Sequence, residues 1–475
     1  MRKFENHVQK VKHDCLKYVA EYAFSGNLSH AIDEIPYKVS PGSEPQYRCC
    51  VFHERAITKE RVKMTMGGTG LPNRYVEVLE SACDQCPVNR YIVTETCRGC
   101  IAHRCIGQCP VDAITIHNGK AIIDYDRCIE CGKCKENCPY NAIADVMRPC
   151  KRECPTGAIE IDANKKAVIN YEKCISCGAC VYQCPFGAIQ EQSEITKVID
   201  AIMIKDRPVY ALLAPAFASQ FEYVDLGRVI TGIKKLGFKD VVEVALGADM
   251  VTLHEADELL LNKSNAIKMT SSCCPGFVNY IDLKYPELKP HVSHTVSPMI
   301  ATSRLVKAID PDAVVVFVGP CIAKKTEKSK SHDTDFVITF EELAAMIEAQ
   351  GIDLEVLDPS PLNNASAYGR GFAAVGGVAQ AIEKHLAELC VTDVRIHTAN
   401  GIAECDKYLK LLKFKRLEGD FIEGMACKGG CIKGPVTMHH GNKDLKSINQ
   451  YAQMAMEKNP AEATRIFTEL AISLT

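Results

Sequence analysis

The sequence predicts an α/β domain with parallel sheets over residues 201–475, preceded by small α+β units that carry most of the cysteines. Two observations predict this division. Sixteen of the 26 cysteines fall between Cys83 and Cys184. From about Arg207 the texture changes to short apolar runs, "VYALLAPAF", "VVEVALGAD", "AVVVFVGPC" and "DFVITF", separated by helix-like stretches such as "EELAAMIEAQ". That βα alternation is the mark of a parallel sheet. The 475 residues suffice for two to four domains.

Composition narrows the function. Apolar residues make up 47% and charged residues 24%, as in an ordinary globular protein. Net charge is −3, from 56 basic and 59 acidic residues, which gives no footprint for nucleic acid or an anionic membrane. No apolar run approaches the roughly 18 residues of a spanning helix. The polar start, Met1 to Cys15, lacks the apolar stretch of a secretory signal. The expectation is a cytoplasmic protein whose cysteines stay reduced and bind metal.

Cys128, Cys131, Cys134 and Cys138-Pro139 spell C-x2-C-x2-C-x3-C-P, and Cys174, Cys177, Cys180 and Cys184-Pro185 spell it again. This is the bacterial ferredoxin signature for cubane iron–sulfur ligation, in which the fourth cysteine of each run serves the other cluster. Applied here, Cys97, Cys100 and Cys105 take Cys138, and Cys128, Cys131 and Cys134 take Cys109. The first run is irregular, with four residues between Cys100 and Cys105. Cys174, Cys177 and Cys180 take Cys154. Cys150 and Cys184 then lack two ligands, because Ala144 and Met147 stand where cysteines would. Cys83 and Cys86 could complete a fourth cluster, or bind a separate metal, or none. The expected divisions are residues 1–80 of unclear role, ferredoxin-like regions 81–148 and 149–200, and a catalytic domain 201–475.

"CPVDAITI", "CPYNAIAD", "CPTGAIEI" and "CPFGAIQE" form an internal Cys-Pro-x2-Ala-Ile repeat. Proline can open a short helix there, and Ala and Ile are placed to pack beneath a cluster.

In the second half, five cysteines lie in three segments: Cys273-Cys274 in "KMTSSCCPGFV", Cys321 in "VFVGPCIAKKTE", and Cys427 and Cys431 in "FIEGMACKGGCIKGP". The first two fall at strand ends, where open α/β sheets build their sites. Glycines around Cys427 and Cys431 let backbone approach a bulky inorganic group. Buried structural cysteine, or one further cubane with a free thiol, are the plainer readings.

The three segments resemble the H-cluster motifs of [FeFe]-hydrogenases, in the variant form of the second phylogenetic class (group B-like). The resemblance runs from Arg207 to about Val436. It implies a two-lobed catalytic domain and an H-cluster: a 4Fe-4S cubane joined through one thiolate to a di-iron unit with CO, cyanide and azadithiolate. It implies that Cys274, Cys321, Cys427 and Cys431 hold the cubane, Cys431 also bridging to the di-iron unit. Cys273 would pass protons, Lys324 would hydrogen-bond a cyanide, and Met425, Pro215 and Ala216 would line the di-iron site. Glu255 and Glu258, three apart on one helical face, with Ser293, would continue the path from Cys273 to Glu327 or to bulk water. Implied partners are a soluble electron carrier such as ferredoxin, H2, protons and maturation proteins. An H2 sensor and a non-catalytic iron–sulfur scaffold are the competing readings.

The chain departs from the commoner class at Ser271, Phe277, Gly319, Ala216 (there a serine), Met299 (there a glutamine) and Pro435. These changes spare the ligands and alter their surroundings. Elsewhere the reading is plain. Cys49, Cys50 and His53, or His13 with Cys15, lack a regular ligand set. His103 reads as a neighbour of a cluster, and Cys390 and Cys405 as ordinary thiols. "KKLGFK" and "KFKR" are small basic patches. The tail reads as two helices, "INQYAQMAMEKNP" and "AEATRIFTELAISL".

Overall fold

A computed structural model describes residues 3–467, 470 and 472–475. Two separate parallel sheets organise the second half. In the first, the strands run in the order Asp240–Glu243, Val209–Leu213, Val314–Val318 and Phe336–Ile338. In the second, Phe421–Met425 lies between Met269–Thr270 and Ile396–Asn400. Val314–Val318 reads Val-Val-Val-Phe-Val and is buried at every position. A strand covered on both faces needs such an unbroken apolar run.

The helix Val244–Ser264 begins directly where the Asp240–Glu243 strand ends. It packs along the helix Pro298–Ile309. A Cβ on Gly247 would lie 2.3 Å from the Pro298 carbonyl oxygen, so glycine sets how closely the two helices approach. That approach carries Glu255 into the interior.

The cysteine-rich part contains two α+β units, each of two antiparallel strand pairs and two short helices. One pairs Tyr91–Val93 with Ile143–Asp145 and Ile114–His117 with Lys120–Ile123. The other pairs Ile159–Ile161 with Ala167–Ile169, and Val76–Val78 with Ile189–Glu191. The second unit therefore draws one strand from before the first unit, ahead of Cys83 and Cys86. The strand pairing runs across the sequence divisions at 81 and 149, and the first unit is nested within the second.

The leading segment is three helices, His7–Phe24, Ala31–Val39 and Val51–Thr65. The first packs against the helices Phe340–Ala349 and Ile195–Ile204. Its buried His13 accounts for part of that attachment: Nδ1 lies 2.5 Å from Glu341 and Nε2 3.1 Å from Glu348. The tail gives the helix Asp444–Gln453. The expected last helix is only Pro460–Thr464 followed by a 3-10 turn. Residues 468, 469 and 471 of that expected helix lie outside the described residues. Beyond, the backbone carbonyl of Leu474 accepts from Val296 N, and Arg304 donates to the carbonyls of Ser473 and Thr475. These bonds draw the terminus along the domain in place of a helical ladder.

Burial alone would lower the His13 pKa, but hydrogen bonds and charge from Glu341 and Glu348 outweigh it and raise it to about 9 from 6.5. Stability from this contact is therefore complete below pH 6.5 and is lost as pH rises through about 9. We expect the thermal midpoint of the wild-type protein to fall between pH 7 and pH 10 by more than that of His13→Gln. Equal losses in both proteins would show that the contact has no such role.

Candidate cluster sites and active site

The Cys-Pro-x2-Ala-Ile repeat has one local structure in all four copies. The residue before Ala is left-handed each time: Asp112 (φ 47°), Asn141 (φ 50°), Gly157 (φ 69°) and Gly187 (φ 59°). These are the residue types that tolerate this conformation. The turn aims the Ala amide back at the cysteine sulfur. Ala113, Ala142, Ala158 and Ala188 donate to the Sγ of Cys109, Cys138, Cys154 and Cys184 at 3.2–3.3 Å. The next residue, Ile114, Ile143, Ile159 or Ile189, is buried as a strand begins. An amide aimed at sulfur favours the thiolate and tunes the potential of a bound cluster.

Four sets of thiols face one another. Cys97, Cys100, Cys105 and Cys138 line one cavity, and Cys109, Cys128, Cys131 and Cys134 line another. Cys154, Cys174, Cys177 and Cys180 interact electrostatically. So do Cys83, Cys86, Cys150 and Cys184, where burial and then the other three thiols push Cys150 up to about 11. The Cys83–Cys86 pair thus sits with the two cysteines that lack partners in the sequence pattern. Among the described residues no three His, Cys, Asp or Glu groups converge on a point suited to one metal ion. Cys49 Sγ is 3.3 Å from His53 Nδ1, but His53 Nε2 is bonded to the Ser81 carbonyl. His103 borders the Cys97 cavity, Cys405 is buried and Cys390 is exposed.

The five later cysteines meet in one cavity. Cys273 and Cys274 follow the strand Met269–Thr270, Cys321 follows Val314–Val318, and Cys427 and Cys431 follow Phe421–Met425. All five line it, with Lys324, Met425, Pro215, Ala216 and Met299. Two glycines let the loops close. A Cβ at Gly430 (φ 86°) would lie 2.8 Å from the Ala373 carbonyl oxygen, and one at Gly434 would lie 2.4 Å from that of Pro320. Burial, then the neighbouring thiols, push Cys431 up to about 12 and Cys321 up to about 11. Buried thiols like these lose their protons only against compensating positive charge, such as iron. The donor set and the apolar walls therefore fit a sulfur-ligated metal group.

Lys324 is the cation in that wall. Its Nζ donates to Ser297 Oγ (2.8 Å), Glu327 Oε2 (2.7 Å) and the Cys273 carbonyl (3.4 Å). Burial alone would lower its pKa, but Glu327 outweighs burial and keeps the ammonium charged.

A polar array leads away from Cys273. The buried Glu255 accepts from the Ser272 amide at 3.4 Å, and its Oε2 has no hydrogen-bond partner. Burial pushes its pKa to about 8. Ser293 Oγ donates to Glu258 Oε2 at 2.6 Å. Burial would raise Glu258, but donors from Ser293, His294 and Thr295 outweigh it and hold it below the ordinary carboxylate value. The outward neighbour of Glu258 is His294, with Nδ1 2.7 Å from Oε1 and a side chain 74% exposed. Glu327, expected at the outer end, has its hydrogen bond with Lys324. The sequence pattern does not single out His294 or Ser297. His294 adjoins Ser293, which it does single out, but neither residue carries a spacing signal.

The Cys177 thiol interacts electrostatically with Cys321 and Cys427, and Cys180 with Cys150. The second α+β unit therefore abuts this cavity. A Cβ on Gly178 (φ 76°) would strike Pro435 and Ile322 at 2.6–2.7 Å.

Comparison with known proteins agrees with this geometry. Residues 207–435 match the C-terminal domain of the iron-only hydrogenase large subunit, and residues 121–144 and 167–190 match the 4Fe-4S binding domain. Iron hydrogenase 1 of Clostridium pasteurianum is 30% identical over 69% of this chain, which spans 66% of that relative's length. The periplasmic [Fe] hydrogenase large subunit of Nitratidesulfovibrio vulgaris is 31% identical, with 66% of this chain and 85% of the relative covered. Cytosolic iron-sulfur assembly component 3 of Rattus norvegicus is 24% identical over 58% of this chain and 73% of its own. With its cysteine loops joined at one cavity and these matches along its length, the chain belongs to the iron-only hydrogenase large-subunit family.

Proposed function

We propose that the chain is an [FeFe]-hydrogenase that interconverts two protons and two electrons with H2. The observation that carries this is the single apolar cavity on which five thiols and a buried lysine converge. Cys274, Cys321, Cys427 and Cys431 would hold the H-cluster there, with Met425, Pro215 and Ala216 packed around its di-iron part. When bound, that group supplies the metal centre at which dihydrogen is formed or split.

The chain's own residues would serve it as follows. Lys324 presents a fixed positive charge, preorganised by Ser297 and Glu327. The Cys273 thiol, which burial holds protonated, passes a proton between the cavity and Glu255. Glu255, protonated at neutral pH by the same effect, hands on through Ser293 to Glu258, and His294 carries the proton to water. The four thiol sets ahead of the domain would hold 4Fe-4S clusters and relay electrons to a soluble carrier of ferredoxin type. Maturation proteins would install the di-iron part. No helix among the described residues is long and apolar enough to cross a membrane, and we place the protein in the cytoplasm.

The assembly-factor relative favours a second reading, a non-catalytic iron–sulfur scaffold, and an H2 sensor is a slower form of the first. A scaffold has no use for Cys273 and Lys324 at one cavity with Glu255 buried near Cys273.

Infrared spectra of the matured protein should carry CO and cyanide bands; bands absent from fully matured protein would remove both H2 readings together. Cys431→Ser should abolish H2 turnover while the protein keeps its fold and accessory clusters. Glu255→Gln should lower turnover by about 100-fold, the scale of one lost proton-transfer group, with infrared bands unchanged. His294→Ala should slow turnover in a way that added imidazole restores; a loss that imidazole leaves untouched would mean a structural role.

A further inference from the structure

We infer that the tip of the first α+β unit, around Ile101, is the docking surface for a small acidic iron–sulfur electron-carrier protein. The inference rests on the hydrogenase reading, for which it names the point of electron entry. Each H2 formed consumes two protons and two electrons, and the carrier is oxidised by two electrons in all.

The position comes from the strand pairing. The first unit joins the rest of the chain at Arg90 and Val146, which are hydrogen-bonded at 2.7 Å. From there the paired strands Tyr91–Val93 and Ile143–Asp145 run outward to the bond between Thr94 N and the Ala142 carbonyl. The Cys109 set lies at the near end, against Tyr91. Cys97 and Cys138 lie past the far end, so their cavity is the outermost of the four.

The irregular first run is the second observation. In the two regular runs, Glu130 and Ser176 (φ 54°) precede a cysteine, and Gly132 and Gly178 follow it as left-handed helix caps. In the first run Gly99 (φ 54°) and His103 (φ 39°) take those places. The extra residues are thus Ile101 and Ala102, and the other runs close without them. Both face solvent, and Ile101 is 97% exposed. Tyr140, which borders the same cavity, is 55% exposed.

Charge supplies the third. Arg98 and Arg104 flank the insertion. Both are exposed. Among the described residues neither has a carboxylate within ion-pair distance, and no acid lies between them in the chain. The basic patches noted in the sequence differ: Lys234, Lys239 and Lys413 are paired with Asp240, Asp310 and Glu287. Neither patch borders a cysteine cavity. A small apolar tip flanked by two exposed arginines suits a weak, electrostatically steered encounter with an acidic partner.

The test uses the double variant Arg98→Glu/Arg104→Glu and, separately, Ile101→Ser, with a purified acidic two-cluster ferredoxin as probe. Its binding is measured by calorimetry on protein bearing the accessory clusters. H2 evolution is measured from the reduced ferredoxin and from reduced methyl viologen. We expect charge reversal to weaken ferredoxin binding and raise its KM by about tenfold, with methyl viologen turnover and iron content unchanged. Ile101→Ser should act in the same direction with less salt dependence. Ferredoxin binding and KM that ignore all three substitutions would overturn the inference. Intact, Arg98-dependent binding without H2 from either donor would instead overturn the hydrogenase reading and leave the docking surface standing.

Discussion

A buried thiol holds its proton, and here burial acts on several cysteines at once. Cys321, Cys427 and Cys431 are each raised by burial and then by the charge of neighbouring thiols, Cys274 among them in every case. Such a group of thiols can ionise together only around positive charge. The catalytic half of the fold is arranged to produce that situation. Strands of two different sheets end at one cavity, and glycines remove the Cβ atoms that would hold the loops apart. Lys324 brings the one fixed cation, and its own partners Ser297 and Glu327 come from a neighbouring helix start and its own helix.

The same constraint accounts for the front of the chain. The small units have little core, and their cysteines face shared cavities under short strands. The left-handed residue in each Cys-Pro-x2-Ala turn points an amide at sulfur, so the repeat is a device for holding thiolate, not only for covering it. Nesting one unit inside the other brings Cys83 and Cys86 to Cys150 and Cys184. It also leaves a regular run, with Cys177, against the cavity of the five later cysteines. Close packing at Gly178 fixes that junction.

A polar array leads from the cavity in another direction. The helix Val244–Ser264 buries Glu255 and leaves Glu258 partly open, so one turn of helix separates a carboxyl held protonated from one held ionised. Ser293 connects to the second, and His294 extends the array to the surface. Burial at one and hydrogen-bond donors at the other thus push the two neighbouring carboxyls apart in pKa.

Cysteine spacing by itself pointed to three of the four thiol sets, one of them irregularly spaced, and to the α+β character of the front, because cubane ligation demands fixed intervals along the chain. The βα alternation determined the parallel sheets, because strands covered on both faces need continuous apolar runs. Local sequence could not decide that there would be two sheets, since strand order depends on pairings hundreds of residues apart. Nor could it decide the place of Cys83 and Cys86, because their partners lie beyond an inserted unit, past residue 146. The places of His294 and Ser297 were decided by tertiary structure alone. Single polar side chains carry no period, and only packing determines which carboxylate or amine each one meets.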